Sequence, residues 1–271
     1  MYLDFYNLKE KPFNVTSDPN FLFMSRRHRE ALTLMLYGIR ERKGFLEITG
    51  EVGTGKTTLC RVLLNSLDER TEAAFIFNSD LPEMQLLKAI VEDLGVGVPG
   101  NTKIKLFNQL NRYLIDRLKN NRNVVLILDE AQNLKPRVLE QLRMLSNLET
   151  EKDKLFQIIL VGQPELRSKL ESPNLRQLRQ RISVRYHVLP LEGSEVVEYI
   201  KHRLLVAGSR DSVSFTDSAM ARVFEYSHGV PRLINILCDK ALLLGFVLEK
   251  REIDEEIVER CVDEIEGRIM V

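Results

Sequence analysis

The chain has 271 residues, of which 44% are hydrophobic and 29% charged, a composition that supports a sizeable core and excludes a disordered chain. Its 39 basic side chains balance 39 acidic ones; a dedicated nucleic-acid binder usually carries net positive charge, so this class is disfavoured unless the charge is local. Cys60, Cys238 and Cys261 are odd in number and form no CxxC pair, which points away from a disulfide framework or a zinc site and toward reduced, buried thiols.

Residues 1–25 are aromatic-rich and irregular, with Tyr2, Phe5, Tyr6, Phe13, Phe21 and Phe23 interrupted by Pro12 and Pro19. Asp4 stands where the apolar core of a signal peptide would begin. Apolar spacing predicts a helix over 26–42 and a strand over Phe45–Thr49, followed by a glycine-rich turn and a helix to about Leu67. A second strand is expected at Ala73–Asn78, then helices over 83–94 and 103–119 with a Gly/Pro turn from Gly95 to Gly100 between them. Further strands are expected at Val124–Leu128, Phe156–Val161 and Val184–Leu189. Continuous aliphatic strands alternating with helices indicate a parallel sheet covered on both faces. After Pro190 the strand pattern stops. Helices over 194–207, 216–227, 231–248 and 254–266, with Thr216 and Asp254 as caps, predict an all-helical domain. The expected division is an α/β core over 1–191, including the aromatic segment, and a helical domain over 192–271. The longest apolar run, Ala241–Leu248, is far short of the ~20 residues that a membrane helix needs. A soluble, cytoplasmic chain is therefore expected.

The segment Gly50-Glu51-Val52-Gly53-Thr54-Gly55-Lys56-Thr57 matches GxxxxGK[ST], follows a predicted strand and opens a predicted helix. Glycines let backbone N–H groups point at phosphate oxygens with no Cβ in the way, and the helix presents its positive end to the same anion. On this basis residues Gly50 through Thr58 form the ATP cradle. Lys56 reaches the β- and γ-phosphates, and the Thr57 hydroxyl is a ligand for Mg²⁺. The competing reading, a chance glycine-rich turn, does not account for the strand and helix on either side.

The run Val124–Leu128 ends in Asp129 and Glu130. Asp129 is expected to hold Mg²⁺ through water, and Glu130 to activate the attacking water. Two acids could instead simply cap the next helix; the complete phosphate loop upstream favours the catalytic assignment. His187, His202 and His228 lack metal-ligand spacing. Glu149, Glu151 and Asp153 read as an acidic surface loop. Arg26, Arg27, His28 and Arg29 read as a basic helix start, and as a solvated face more than a contact site. Phe13, Phe21 or Phe23 could stack on adenine or pack the terminal segment onto the core.

These residues resemble the AAA+ ATPases, and in particular the ExeA/GspA type of bacterial general secretion and MshM-like relatives in pilus biogenesis. The resemblance rests on the opening Met1-Tyr2-Leu3-Asp4-Phe5-Tyr6-Asn7-Leu8-Lys9-Glu10-Lys11-Pro12-Phe13, its continuation Asp18-Pro19-Asn20-Phe21-Leu22-Phe23, and the stretches Asp129-Glu130-Ala131-Gln132-Asn133-Leu134, Gly162-Gln163-Pro164-Glu165-Leu166 and Gly229-Val230-Pro231-Arg232. It covers essentially the whole chain. It implies a P-loop NTPase core with a five-stranded parallel sheet of order 5-1-4-3-2 and a helical lid. It also implies Gln163 as sensor 1 and Arg232 as sensor 2. Within the basic stretch Arg176, Arg179, Arg181 and Arg185, it implies an arginine finger acting on a neighbouring subunit, with Arg181 the first choice and Arg179 the second. Homo-oligomers in rings or filaments and a protein partner in secretion or pilus assembly follow from the same resemblance. Longer members of the type carry a membrane helix and a peptidoglycan-binding region after the ATPase part, which would place this chain at the inner face of the inner membrane. A DNA-associated ATPase of the transposition-regulator type, with residues 176–185 facing DNA, is the rival expectation. A slow nucleotide-dependent switch is another.

Overall fold

A computed structural model describes residues 1–77, 80–97, 100, 102–147 and 154–268. The end of the expected strand at Asn78, part of the Gly95–Gly100 turn and the acidic residues Glu149, Glu151 and Asp153 lie outside the described residues. In chain order the elements are α1 (Tyr2–Phe5), α2 (Arg26–Arg40), β1 (Phe45–Gly50), α3 (Lys56–Asn65), β2 (Thr71–Ile76), α4 (Glu83–Asp93), α5 (Lys103–Lys119), β3 (Asn123–Leu128), α6 (Pro136–Leu145), β4 (Gln157–Gly162), α7 (Pro164–Leu170), α8 (Arg176–Arg179) and β5 (Ile182–Val188). They continue with α9 (Gly193–Val206), β6 (Ser214–Phe215), α10 (Asp217–Ser227), α11 (Pro231–Val247), β7 (Glu252–Ile253) and α12 (Glu255–Ile265). The chain divides into two compact units. One comprises Arg26–Glu51 with Leu59–Val188, the other Met1–Ser25, Val52–Thr58 and Leu189–Val271.

The first unit is a five-stranded sheet of order β2-β3-β4-β1-β5, parallel throughout, as the resemblance implies. Every residue of β1 and β4 is buried, because a parallel sheet is covered on both faces and its strands need no polar alternation. On one face Val124, Leu126 and Leu128 of β3 with Ile158 and Leu160 of β4 join a core completed by Leu86 and Ile90 of α4, Leu106 and Leu110 of α5, and Leu139 and Leu142 of α6. Helix α2 packs on β1, β4 and β5. Parallel pairing brings the carboxyl ends of the strands to one edge. Thr49 of β1 lies level with Gly162 of β4, and Leu128 of β3 with Leu160 of β4.

The second unit is helical, with one departure from expectation. Its residues include a two-stranded parallel pair, β6 with β7, where only helices are predicted. Each strand is two residues long, too short to carry a period-two pattern, yet Phe215 and Ile253 are both buried in the unit's core.

The aromatic amino-terminal segment packs on this helical unit, and not with the sheet as expected. Tyr2, Tyr6, Phe13 and Phe21 are buried in one core with Ile234, Leu237 and Leu242 of α11. The Tyr6 hydroxyl donates to the carbonyls of Leu242 and Lys250, each at 3.1 Å, and burial pushes its pKa up to about 12. Phe13 meets Phe215 edge-on at 6.2 Å. Arg203 of α9, 5% exposed, fastens the segment. Its guanidinium donates to the carbonyls of Pro12 and Asn14 and to the Tyr199 hydroxyl, and lies 4.8 Å from the Phe21 ring centroid. Replacing it with methionine leaves buried carbonyls without donors, so Arg203→Met is expected to lower the stability of this unit by about 3 kcal/mol. Urea denaturation, with proteolysis of residues 1–25 as a second readout, checks this.

Candidate functional site

Strand β1 delivers the chain to Gly50 at the carboxyl edge of the sheet, and α3 begins at Lys56. Between them Gly53 (φ 81°) and Gly55 (φ 90°) occupy the left-handed region that a side chain disfavours. Thr54 and Lys56 are buried and Val52 is exposed. The segment Val52–Thr58 belongs to the helical unit, and contacts within that unit explain why. The Arg232 N–H, at the start of α11, donates to the Gly53 carbonyl at 3.3 Å. A Cβ on Gly53 would lie 2.6 Å from Arg232 Cβ and 3.2 Å from Val230 Cγ1. The turn Val230-Pro231-Arg232 therefore rests directly on Gly53 of the glycine-rich loop.

That turn is itself pinned. Gly229 (φ 76°) accepts at its carbonyl from the Leu191 N–H at 2.9 Å, and a Cβ there would sit 1.9 Å from the Leu191 carbonyl oxygen. A cation at a helix start opposes the helix dipole, which disfavours Arg232 there on structural grounds alone.

At the tips of β3 and β4, Asp129 is fully buried, and its N–H extends the strand ladder by donating to the Ile76 carbonyl at 3.0 Å. The Glu130 N–H turns back onto Asp129 Oδ1 at 2.9 Å. Glu130 itself adopts φ 52°, ψ 37°, a left-handed conformation that costs an ordinary residue on the order of 1–3 kcal/mol. The bend is supported by Gln132 and Gln163. Gln163 Nε2 donates to Glu130 Oε2 at 3.2 Å, and Gln132 Nε2 donates to the same oxygen. Gln132 Oε1 in turn accepts from the Gln163 N–H at 3.0 Å. Lys169 of α7 binds the carbonyls of Gln132 and of Leu134, the latter at 2.9 Å. Asp129, Glu130 and Gln163 thus stand on the sheet edge from which Gly50 and Glu51 also depart.

The basic stretch is largely occupied inside its own chain. Arg181 donates to the Arg143 carbonyl at 3.2 Å and to Ser146 Oγ at 2.8 Å, neutralising the carboxyl end of α6. Arg185 pairs at 3.1 Å with Glu47, a buried residue of β1, and also donates to the Arg179 carbonyl at 2.8 Å. Burial pushes the Glu47 carboxyl up, and the Arg185 guanidinium opposes this. Arg179 makes a longer contact, 3.4 Å, to the Glu171 carbonyl, and Arg176 is exposed.

Of the aromatic candidates for a nucleotide base, Phe13 and Phe21 lie in the helical core, while Phe23 is partly exposed and meets Tyr199 edge-on at 6.1 Å. His28 is buried, unlike the solvated helix start expected, and Arg26 and Arg27 pair with Glu30. His187 Nδ1 lies 3.0 Å from the Thr49 hydroxyl. Gln132, Gly162, Lys169 and Leu191 escaped the sequence reading as site residues. Gln132 and Gly162 fall within the two stretches that carry the resemblance, but spacing alone gives them no role.

A family model described as "AAA domain" matches residues 39–170. General secretion pathway protein A of Aeromonas hydrophila is 44% identical over 268 residues, covering 98% of this chain and 49% of that protein. The chain thus spans about half the length of that relative. Among solved structures, the ORC2 protein of Aeropyrum pernix superposes with a TM-score of 0.70 at 20% identity, over 94% of this chain and 72% of that one. CDC6P of Pyrobaculum aerophilum gives 0.68 at 17%, over 90% and 70%. The Thermotoga maritima RuvB motor gives 0.59 at 21%, over 88% and 68%. At such identities the likeness speaks for the fold alone. Its phosphate-loop motif, its 2-3-4-1-5 parallel sheet and the AAA-domain match over residues 39–170 give the chain the P-loop NTPase fold, and it is similar along nearly its whole length to General secretion pathway protein A of Aeromonas hydrophila.

Proposed function

We propose that the chain binds Mg-ATP on residues Gly50–Thr58 and hydrolyses it, and that this cycle drives or regulates assembly of bacterial envelope secretion machinery of the type II secretion or pilus kind. The observation that carries the chemistry is the shared sheet edge from which Gly50, Asp129, Glu130 and Gln163 all emerge. Similarity to General secretion pathway protein A over 98% of the chain supports the pathway. In this mechanism backbone N–H groups and the amino end of α3 receive the phosphates, and Lys56 neutralises the β- and γ-oxygens. Thr57 and Asp129 supply hard oxygen donors suited to Mg²⁺. Bound Mg²⁺ disperses the charge that develops on the phosphate oxygens. Glu130 accepts a proton from the attacking water, Gln163 fixes the carboxylate and contacts the γ-phosphate, and Arg232 reports the γ-phosphate to the turn that ends α10. No helix among the described residues is long and apolar enough to cross a membrane.

A DNA-associated role finds little support in this surface. Arg181 and Arg185, half of the basic stretch, are spent on α6 and Glu47. The same engagement of Arg181 favours Arg179 as the residue that reaches a neighbouring subunit's nucleotide. A finger supplied in trans makes each isolated subunit incomplete. Specific ATPase activity is therefore expected to rise with protein concentration as oligomers assemble, followed by phosphate release alongside light scattering. Activity that is constant over a wide dilution series, with a monomer throughout, contradicts assembly-dependent turnover. No phosphate release at any concentration contradicts the enzyme itself.

A further inference from the structure

We infer that Gln132 is a positioning residue for the Glu130 carboxylate, an assignment that rests on Glu130 being the base. The geometry is a bridge in which one side-chain amide serves two strand tips. Its Nε2 holds Glu130 Oε2 at the end of β3, and its Oε1 accepts from the Gln163 N–H, 3.0 Å away, at the end of β4. Gln163 Nε2 reaches the same carboxylate oxygen at 3.2 Å, so Glu130, Gln132 and Gln163 close a ring of hydrogen bonds. Lys169 fastens the Gln132 backbone from α7, with the neighbouring Leu134 carbonyl as its second acceptor at 2.9 Å.

Two features say that this arrangement serves the carboxylate and does more than close a turn. Glu130 is held in a left-handed conformation, at φ 52°, that its own backbone does not favour. In addition, the structure keeps a space open for the amide. A Cβ on Gly162 would stand 2.7 Å from Gln132 Oε1 and 3.3 Å from its backbone nitrogen. Gly162 carries no positive φ that would demand glycine; the close approach of Gln132, together with Leu166 Cδ2 at 3.1 Å, accounts for its size. A base whose carboxylate swings by an ångström loses its alignment with the attacking water, and such misplacement is costly in rate while leaving binding intact.

The test is a double-mutant cycle in the full chain, with Mg-ATP turnover and nucleotide affinity both measured. Gln132→Met is expected to lower kcat about 10- to 100-fold with nucleotide affinity and KM little changed. In a Glu130→Gln background the same substitution is expected to cost nothing further, because it acts only through that carboxylate. Gly162→Ala, which pushes the amide aside, is expected to reproduce the selective loss of kcat. Equal losses from Gln132→Met in both backgrounds, or a loss of affinity matching the loss of kcat, overturn the inference and leave Glu130 as base. Wild-type turnover by Glu130→Gln alone overturns the underlying mechanism instead. If Gln132→Met fails to fold, Gln132→Glu keeps the acceptor for Gln163, removes the donor to Glu130 and sets a second carboxylate beside it, which displaces the base further. Wild-type kcat in that variant and in Gly162→Ala then overturns the inference.

Discussion

Glu130→Gln is expected to keep Mg-ATP bound while turnover falls by roughly 10²- to 10⁴-fold, the range that a well-placed general base supplies. The change is isosteric. The oxygen that accepts from Gln132 and Gln163 persists as an amide oxygen, so both side chains retain a partner and the left-handed bend retains its support. What is lost is the capacity to take a proton from water. Binding should survive because the phosphate loop belongs to a different segment, Gly50–Thr58. Single-turnover phosphate release with nucleotide affinity measured in parallel separates the two steps. A variant that turns over within about tenfold of the wild type shows that Glu130 is not the base.

Gly229→Ala is expected to be the most damaging single-methyl substitution in the helical unit, at about 4 kcal/mol or more, because it combines two mechanisms that cannot relax independently. The backbone sits at φ 76°, and the added carbon would fall 1.9 Å from the Leu191 carbonyl oxygen. A backbone atom cannot swing away as a flexible side chain can, so the Leu191–Gly229 hydrogen bond at 2.9 Å must open. Val230 and Arg232 follow Gly229 directly, and Arg232 is bonded through its N–H to Gly53. Loss of nucleotide affinity should therefore accompany loss of stability. Chemical denaturation and nucleotide titration of the same preparation check both. Wild-type stability would mean that the turn is far more compliant than its contacts imply.

Sequence patterns were most informative where the structure is local. The α/β alternation, the helical stretch after Pro190 and the helix at 103–119 all read directly from apolar spacing. Apolar spacing starts strand β5 two residues late, at Val184 in place of Ile182, because the strand lies at the sheet edge, where Ser183 and Arg185 interrupt the apolar run. Helix α7 has only seven residues and β6 and β7 have two each, lengths at which periodicity carries no information. Tyr2 and Tyr6 bond to Asp239 and Leu242, more than 230 positions away, so no local pattern reveals which unit the amino-terminal segment joins. The phosphate loop and the paired acids were legible because their chemistry fixes residue types at fixed spacing. Gln132 was not, because its role depends on β3 and β4 being neighbours.

The account depends on residues Gly50–Thr58 enclosing a triphosphate. Calorimetric titration of Mg-ATP into the Glu130→Gln variant, in which binding heat is free of turnover, tests this directly, with Lys56→Ala as the paired control. The account predicts saturable heat at one nucleotide per chain, abolished or greatly weakened in Lys56→Ala. No heat in either protein, or heat that is indifferent to Lys56, contradicts it.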